Sequence, residues 1–337
     1  MKKVIKAGIK TILPHKIVRY IKNIRFFRTI KRGYLYDYKR YINYADTYES
    51  NTSTKLMGRI IREYHVIEKG LTMPERRLGF GKDRILSLCN ACKTYIEKYN
   101  TDELQLQHAI GVLLEYKKLH ETENFVLDTE IQDAIAKIES YNIHTIATQQ
   151  LHFTKEEYFS TINDDFAKFS NSRKSVRNFT TEPISQAQIT HALELARNTP
   201  SACNRQSWRT YVYTDKKTIE TLLKIQGGNR GFGHLANTLI VLCGEVGMFY
   251  GQAERNEVFI DGGMYAMNLL YALHYNKIGA CILNCSTTVE KDTLLRKHIP
   301  IKPSEVFIAM IVCGNVPDTF SVPISKRYEL TKTNKEV

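Results

Sequence analysis

The chain lacks any run approaching the roughly 18 consecutive apolar residues of a membrane-crossing helix. It also lacks an uninterrupted apolar stretch of about 7–15 residues near its start with a small-residue cleavage site behind it, so no secretory signal is evident. Its seven cysteines are odd in number and scattered through apolar stretches, which favours reduced core thiols in the cytosol over a disulfide framework. No internal repeat or low-complexity tract is present. Acidic residues are almost missing from positions 1–42, where Asp37 stands alone against thirteen lysines and arginines. Those positions carry +12 of the net +13, so the rest of the chain is close to neutral. The excess positive charge is a local device.

What is present suits a globular protein: 43% hydrophobic and 25% charged residues over 337 positions, enough for two units of roughly 150 residues each. The pattern divides into a basic leader over 1–42, a helical unit over 43–150, an α+β unit over 151–330 and a polar tail over 331–337. In the leader, Ile17, Ile21, Ile24 and Phe27 recur at helical spacing among lysines and arginines. Pro14 separates them from an earlier stretch holding Val4, Ile5, Ile9 and Ile12. A basic amphipathic helix can lie on an anionic membrane surface at the inner face of a cell, bind nucleic acid or an acidic protein, or pack on its own protein with the charges in water. The absence of any base-reading motif weighs against nucleic acid.

From Thr52 to Ala147 the apolar positions follow a helical period: Leu56, Ile60, Ile61, Tyr64 and Ile67 form one stripe, with Gly70 as a stop. Further stripes run through Ile85–Tyr99, Leu104–Tyr116 and Ile131–Ile138. From Asp164 onward helix and strand alternate. Ser185 and Gln188 read as a capping box opening a helix over Gln186–Asn198, and Trp208–Tyr213, Leu239–Cys243, Gly279–Cys285 and Val306–Cys313 read as strands around a helix at Phe259–Tyr275. Such alternation implies a sheet covered by helices.

Two stretches carry chemistry. In an extended segment Arg173, Ser175 and Arg177 project to one side, giving two permanently charged guanidinium groups and a hydroxyl that suit an anion. The helix that follows is stopped by Pro200, and the loop behind it offers Ser201, Asn204 and Gln206. Amide side chains present donor and acceptor side by side, as reading the imide edge of a flavin or pyrimidine requires. Either stretch alone is weak.

Together, Arg173-x-Ser-x-Arg177-x-Phe, a helix, and Pro200-Ser-x-x-Asn204-x-Gln206-x-Trp208 resemble the nitroreductase family of flavin enzymes. Ile260-Asp-Gly-Gly263, Ile278-Gly-Ala-Cys281 and Lys326-Arg327 continue the likeness, which covers about 164–330. The resemblance implies an α+β fold with a mixed sheet flanked by helices, a homodimer, and FMN in clefts at its interface. It implies that Arg173, Ser175, Arg327 and Lys326 hold the phosphate, with Arg177 nearer the ring. Pro200, Ser201, Asn204 and Gln206 would line the ring and ribityl chain, crossing from the partner subunit, and backbone near Asn284 and Cys285 would approach flavin N5. The implied reaction is ping-pong hydride transfer from NADH or NADPH to a small organic acceptor such as a nitro compound, quinone or enone. Ser207, where the family often has Pro, and Asn284-Cys285, where it commonly has Gly or Glu-Gly, depart from the pattern. A non-catalytic flavin-binding protein, with the helical half and leader serving a membrane or partner, is the alternative.

Other features read more plainly. Cys89 and Cys92 have redox or zinc spacing but fall on a helical apolar stripe, which suits packing. Gly227–Gly233 lacks the Walker spacing and ending. His65, Glu68 and Lys69 share one side of a helix, as a surface ion-pair set or as a lid presenting His65 or Glu68 to substrate.

Overall fold

The computed structural model describes residues 14–44, 51–145 and 149–336. The leader's first apolar stretch, Val4 to Ile12, lies outside the described residues. Behind Pro14 the chain forms α1 (His15–Tyr44), followed by α2 (Ser53–Leu71), α3 (Lys82–Lys98), α4 (Leu104–Thr122) and α5 (Thr129–Glu139). Thr52 and Asp128 cap α2 and α5 by accepting from backbone N–H groups in the first turn. Helices α2 to α5 close on a core of their own, in which Ile60, Ile67, Leu88, Leu106, Leu113 and Ile135 are among the most buried members. Cys89 and Cys92 belong to that core, and burial pushes the Cys89 thiol up to about 12.

The second half begins with β1 (Leu151–Thr154) and continues through α6 (Lys155–Phe159), α7 (Phe166–Ser172), α8 (Gln186–Ala196), β2 (Trp208–Tyr213), α9 (Lys216–Gln226), β3 (Thr238–Glu245) and α10 (Glu257–Tyr275). It ends with β4 (Gly279–Asn284), α11 (Val289–His298), β5 (Glu305–Gly314), β6 (Thr319–Val322) and α12 (Leu330–Thr333). Four strands make one sheet in the order β2-β3-β5-β4, and β1 pairs β6 in a separate ribbon. Every described pair is antiparallel, where a mixed sheet is expected from the family likeness.

Side chains of β3 alternate between two cores. Leu239, Val241 and Cys243 join α9 and α11 on one face, while Ile240 and Leu242 join α8 and α10 on the other. Burial on both faces is why β3 and β5 read as continuous apolar runs. The Ser185–Gln188 capping box forms as expected at the start of α8, which ends at Ala196, slightly short of Asn198. Helix α10 lies close against β5 because position 262 is glycine: a Cβ there would meet Ile308 carbons at 2.9–3.1 Å.

Helix α1 packs on the segment before α10. Phe26 stacks on Tyr250 with ring centroids 5.5 Å apart, and Asp37 accepts two bonds from Arg255 at 2.7 and 2.8 Å. The leader stripe is thereby split, since Ile21 and Ile24 are half-buried while Ile17 and Phe27 face solvent.

Candidate cofactor site

Helix α7, capped by Asp165, stops at Ser172, and Arg173 turns the chain into an extended run. That run is anchored by Val176 N–H donating to Ala280 O (3.0 Å) and Thr180 N–H to Asn315 O (2.8 Å). Val176 goes into the core, so Arg173, Ser175 and Arg177 are turned the other way, and farther on Phe179 is buried as well. Opposite them runs the chain after β6, where Ser325 has φ of 48°. The two walls, with Met267 and Tyr271 of α10, enclose a cavity of about 550 Å³. Arg173, Lys174, Arg177, Lys326 and Arg327 all line it, and no carboxylate does.

Five cations without a counter-charge are costly to hold together. Burial and then the charges of Arg173 and Arg327 hold the Lys174 ammonium below its usual value. The Nε atoms of Arg173 and Arg177 are buried without a hydrogen-bond partner. Buried donors of this kind are rarely left unmatched, so the cavity has the charge and the free N–H groups to take an anion.

Behind Arg173 lies His274, buried in α10, with Nε2 2.7 Å from Ser172 Oγ and Nδ1 without a partner. Burial, then Arg173 and Lys174, push its pKa down from 6.5 to about 4. An imidazole harder to protonate folded than unfolded gives full stability above pH 6.5 and loses it as pH falls toward 4. Urea unfolding of the wild type should lose roughly 3 kcal/mol from this source over that window. His274→Phe should flatten that part of the profile, and unchanged slopes would rule the assignment out.

The helical half forms the next wall. Tyr64 donates to Gln105 Oε1 at 2.5 Å, and Gln105 Nε2 donates to Lys326 O at 3.2 Å, so α2 and α4 hold the basic segment in place. His65 lines a neighbouring cavity of about 340 Å³ with Gln105, Lys326 and Arg327. Glu68 also borders it but is fully buried, with Oε1 2.9 Å from His108 Nε2 and Oε2 3.7 Å from His65 Nδ1. Burial alone would raise this carboxyl; hydrogen bonds and charge from His108 and His65 outweigh it and hold it below the usual range. Glu68 is therefore neither a surface ion-pair member nor a group presented to substrate. Burial and the charge of Arg177 depress the neighbouring Lys69 ammonium.

The asparagine loop stands apart. Pro200, Asn204 and Gln206 are exposed, Ser201 is half-buried, and none lines the basic cavity. Cys203, Asn204 and Gln206 have φ of 51°, 55° and 48°, a left-handed conformation that costs non-glycine residues energy. The loop is held by Ala202 N–H donating to the fully buried Asp261 (3.1 and 3.3 Å), by Gln206 N–H donating to Ser201 Oγ (3.0 Å), and by the Arg205–Glu254 ion pair at 2.9 Å. A strained loop held this firmly is pre-organised to present Asn204 and Gln206 outward. At the end of β4, Asn284 O accepts from Gln226 Nε2 (2.9 Å), and Cys285 is a core residue whose thiol burial pushes up to about 12. Neither lines the basic cavity.

Sequence reasoning missed Lys174, Gln105, Asp261 and the α10 residues Met267 and Tyr271. Lys174 and Asp261 lie inside the recognised motifs, so the motifs themselves were a signal. Gln105 offered none.

Residues 171–229 match the model of the nitroreductase family, a stretch that holds both the Arg173–Arg177 segment and the asparagine loop. Those residues are of the nitroreductase family. The matched stretch lies in the C-terminal half, an α/β region behind a helical N-terminal one. Solved structures similar to the chain include the FMN-dependent nitroreductase of Clostridium difficile, at 17% identity and TM-score 0.40, covering 49% of this chain and 92% of that one. A nitroreductase family protein from Streptococcus pneumoniae is 19% identical with TM-score 0.44, covering 51% and 100%. A nitroreductase-named structure from Exiguobacterium sibiricum, solved in complex with FMN, is 16% identical with TM-score 0.44, covering 51% and 97%. No curated protein matches the sequence.

Proposed function

We propose that the protein is an FMN-dependent oxidoreductase that takes electrons from NADH or NADPH and reduces a small organic acceptor. The observation that carries this reading is the cavity with five cations, no carboxylate and two buried guanidinium N–H groups lacking partners. A phosphate monoester fits it in charge and in donor geometry. Arg173, Ser175, Lys326 and Arg327 would hold the phosphate. Arg177, farther along the same wall, would sit beside the ring, where positive charge favours a reduced, anionic flavin. When bound, FMN supplies the hydride exchange, so the chain needs no nucleophile of its own. Gln105 and Tyr64 hold the Lys326 segment in place, and Met267 and Tyr271 exclude water from one side of the cavity.

The remaining flavin contacts belong, in this reading, to a second copy of the chain. Phe259, Ile260, Met264 and Met267 leave an apolar strip of α10 exposed, and the asparagine loop is anchored to Asp261 on the same helix. A homodimer across α10 would bring Pro200, Ser201, Asn204 and Gln206 of one subunit toward the basic cavity of the other. The backbone around Asn284 and Cys285 stands as the neighbour of the hydride-bearing ring edge. The cytoplasm, with its reduced nicotinamides, is the compartment this chemistry implies, and the buried unpaired thiols suit it.

The test is the visible spectrum of the protein after incubation with FMN and gel filtration. Oxidised-flavin bands that bleach on anaerobic addition of NADH or NADPH are expected. Protein that stays colourless overturns the reading, and bound flavin that neither nucleotide bleaches turns it to a non-catalytic flavin carrier.

A further inference from the structure

One side of α1 carries a stripe that the described residues leave exposed. Ile17, Tyr20, Phe27, Tyr34 and Tyr38 recur three, four or seven positions apart, and Tyr20, Phe27, Tyr34 and Tyr38 are 66%, 65%, 55% and 62% exposed. Their direction is set by the side of the helix that packs on the protein. There Phe26 stacks on Tyr250, Gly33 lies against Gln252 and Arg255, and Asp37 pairs with Arg255. At about 3.6 residues per turn Tyr20, Phe27, Tyr34 and Tyr38 lie about 80–120° around the helix from those contacts and Ile17 lies opposite them, with Arg28, Arg32 and Lys39 along one flank. All three flanking cations are exposed.

Helix α1 holds nine lysines and arginines and a single acid, Asp37, which is engaged with Arg255. It spans about 45 Å at the usual rise. No helix among the described residues is long and apolar enough to cross a membrane. We infer that α1 lies flat on an anionic bilayer surface, its aromatic stripe entering the headgroup boundary and its cations meeting lipid phosphates.

Four physical points select this occupant. Tyrosine joins an apolar ring to a polar tip and is favoured where hydrocarbon meets water. Arginine and lysine stems can lie along the apolar boundary with their charges at the headgroups. A second copy of the stripe would bring two strongly basic helices together, and like charges at that spacing repel. A nucleic acid would satisfy the cations but leave Ile17 in water. The surface lies outside the basic cavity and does not depend on flavin being bound there.

The full chain should sediment with vesicles of phosphatidylcholine and phosphatidylglycerol, should not sediment with phosphatidylcholine alone, and should be released as salt rises. Arg28→Glu with Arg32→Glu and Lys39→Glu should weaken the binding on the order of a hundredfold. Phe27→Ser with Tyr34→Ser should weaken it about tenfold, while far-UV circular dichroism and sedimentation velocity stay unchanged. Wild-type protein that ignores anionic vesicles overturns the proposal, as does binding to DNA in their place. Undiminished vesicle binding by the Phe27 and Tyr34 variant also overturns it, and so does an oligomer that this variant dissociates.

Discussion

Arg173→Ala should raise the Kd for FMN on the order of a hundredfold without lowering the stability of the flavin-free protein. The side chain lines the basic cavity and has a buried Nε with no partner, so the fold makes little use of it. A charge-assisted bond between guanidinium and phosphate, truncated from one side, typically costs 2–5 kcal/mol, which spans about thirtyfold to a few thousandfold. On the folding side the same change relieves repulsion, because Arg173 helps depress the Lys174 ammonium and, below pH 6.5, the protonation of the His274 imidazole. Urea unfolding should therefore give the variant a stability equal to or above the wild type's. Residues kept at a cost to the fold are the ones expected at a binding site. Fluorescence titration checks the first half of the prediction and denaturation the second. A variant that is destabilised by more than about 1 kcal/mol and still binds FMN normally would make Arg173 a structural residue.

His108→Leu should destabilise the protein by roughly 3–5 kcal/mol, because it strands the Glu68 carboxylate inside the helical core. His108 and Glu68 are both essentially inaccessible, 2.9 Å apart, and His108 also packs edge-on against Tyr64 at 4.9 Å. His65, at 3.7 Å and partly in solvent, is a poor substitute. Typical domains have only about 5–15 kcal/mol in total, so the loss would be large. Replacing both members, Glu68→Leu with His108→Leu, should recover most of it, since an apolar pair removes the uncompensated charge. A small effect in the single variant, or no recovery in the double, would mean that the pair is not what holds α2 to α4. Because Tyr64 and Gln105 on the same two helices fix the Lys326 backbone, the single variant should also weaken FMN binding.

Glu68 shows where a one-dimensional reading runs out. Along α2 it looks like part of a charged surface set with His65 and Lys69. Its true partner comes from α4, forty positions away, and helical spacing along one element cannot reveal a neighbour on another. The ribbon of β1 and β6 was hidden for a related reason. Two four-residue strands pair across 164 intervening positions, Leu151 against Val322, and neither is long enough to display a period. Helix α9 was more legible than the reading made it, with Asp215 accepting from Thr218 N–H at its start and Gly227 in the left-handed conformation at its end. By contrast, β3 and β5 were plain because both their faces are buried. Arg173 and Arg177 were plain because polar residues alternate with the core residue Val176. That Arg173 and Lys326 face each other across one cavity was legible only through the family likeness, since nothing in the spacing of positions so far apart says so.

The central claim is that the basic cavity binds the phosphate of FMN, and comparing FMN with riboflavin tests it most directly. The two ligands share the ring and the ribityl chain and differ in the phosphate alone. Titrating the wild-type protein with each at one ionic strength, followed by flavin fluorescence, should give FMN a Kd at least about a hundredfold lower, with the gap narrowing as salt is raised. Equal affinity for the two, or no binding of either, would contradict the account.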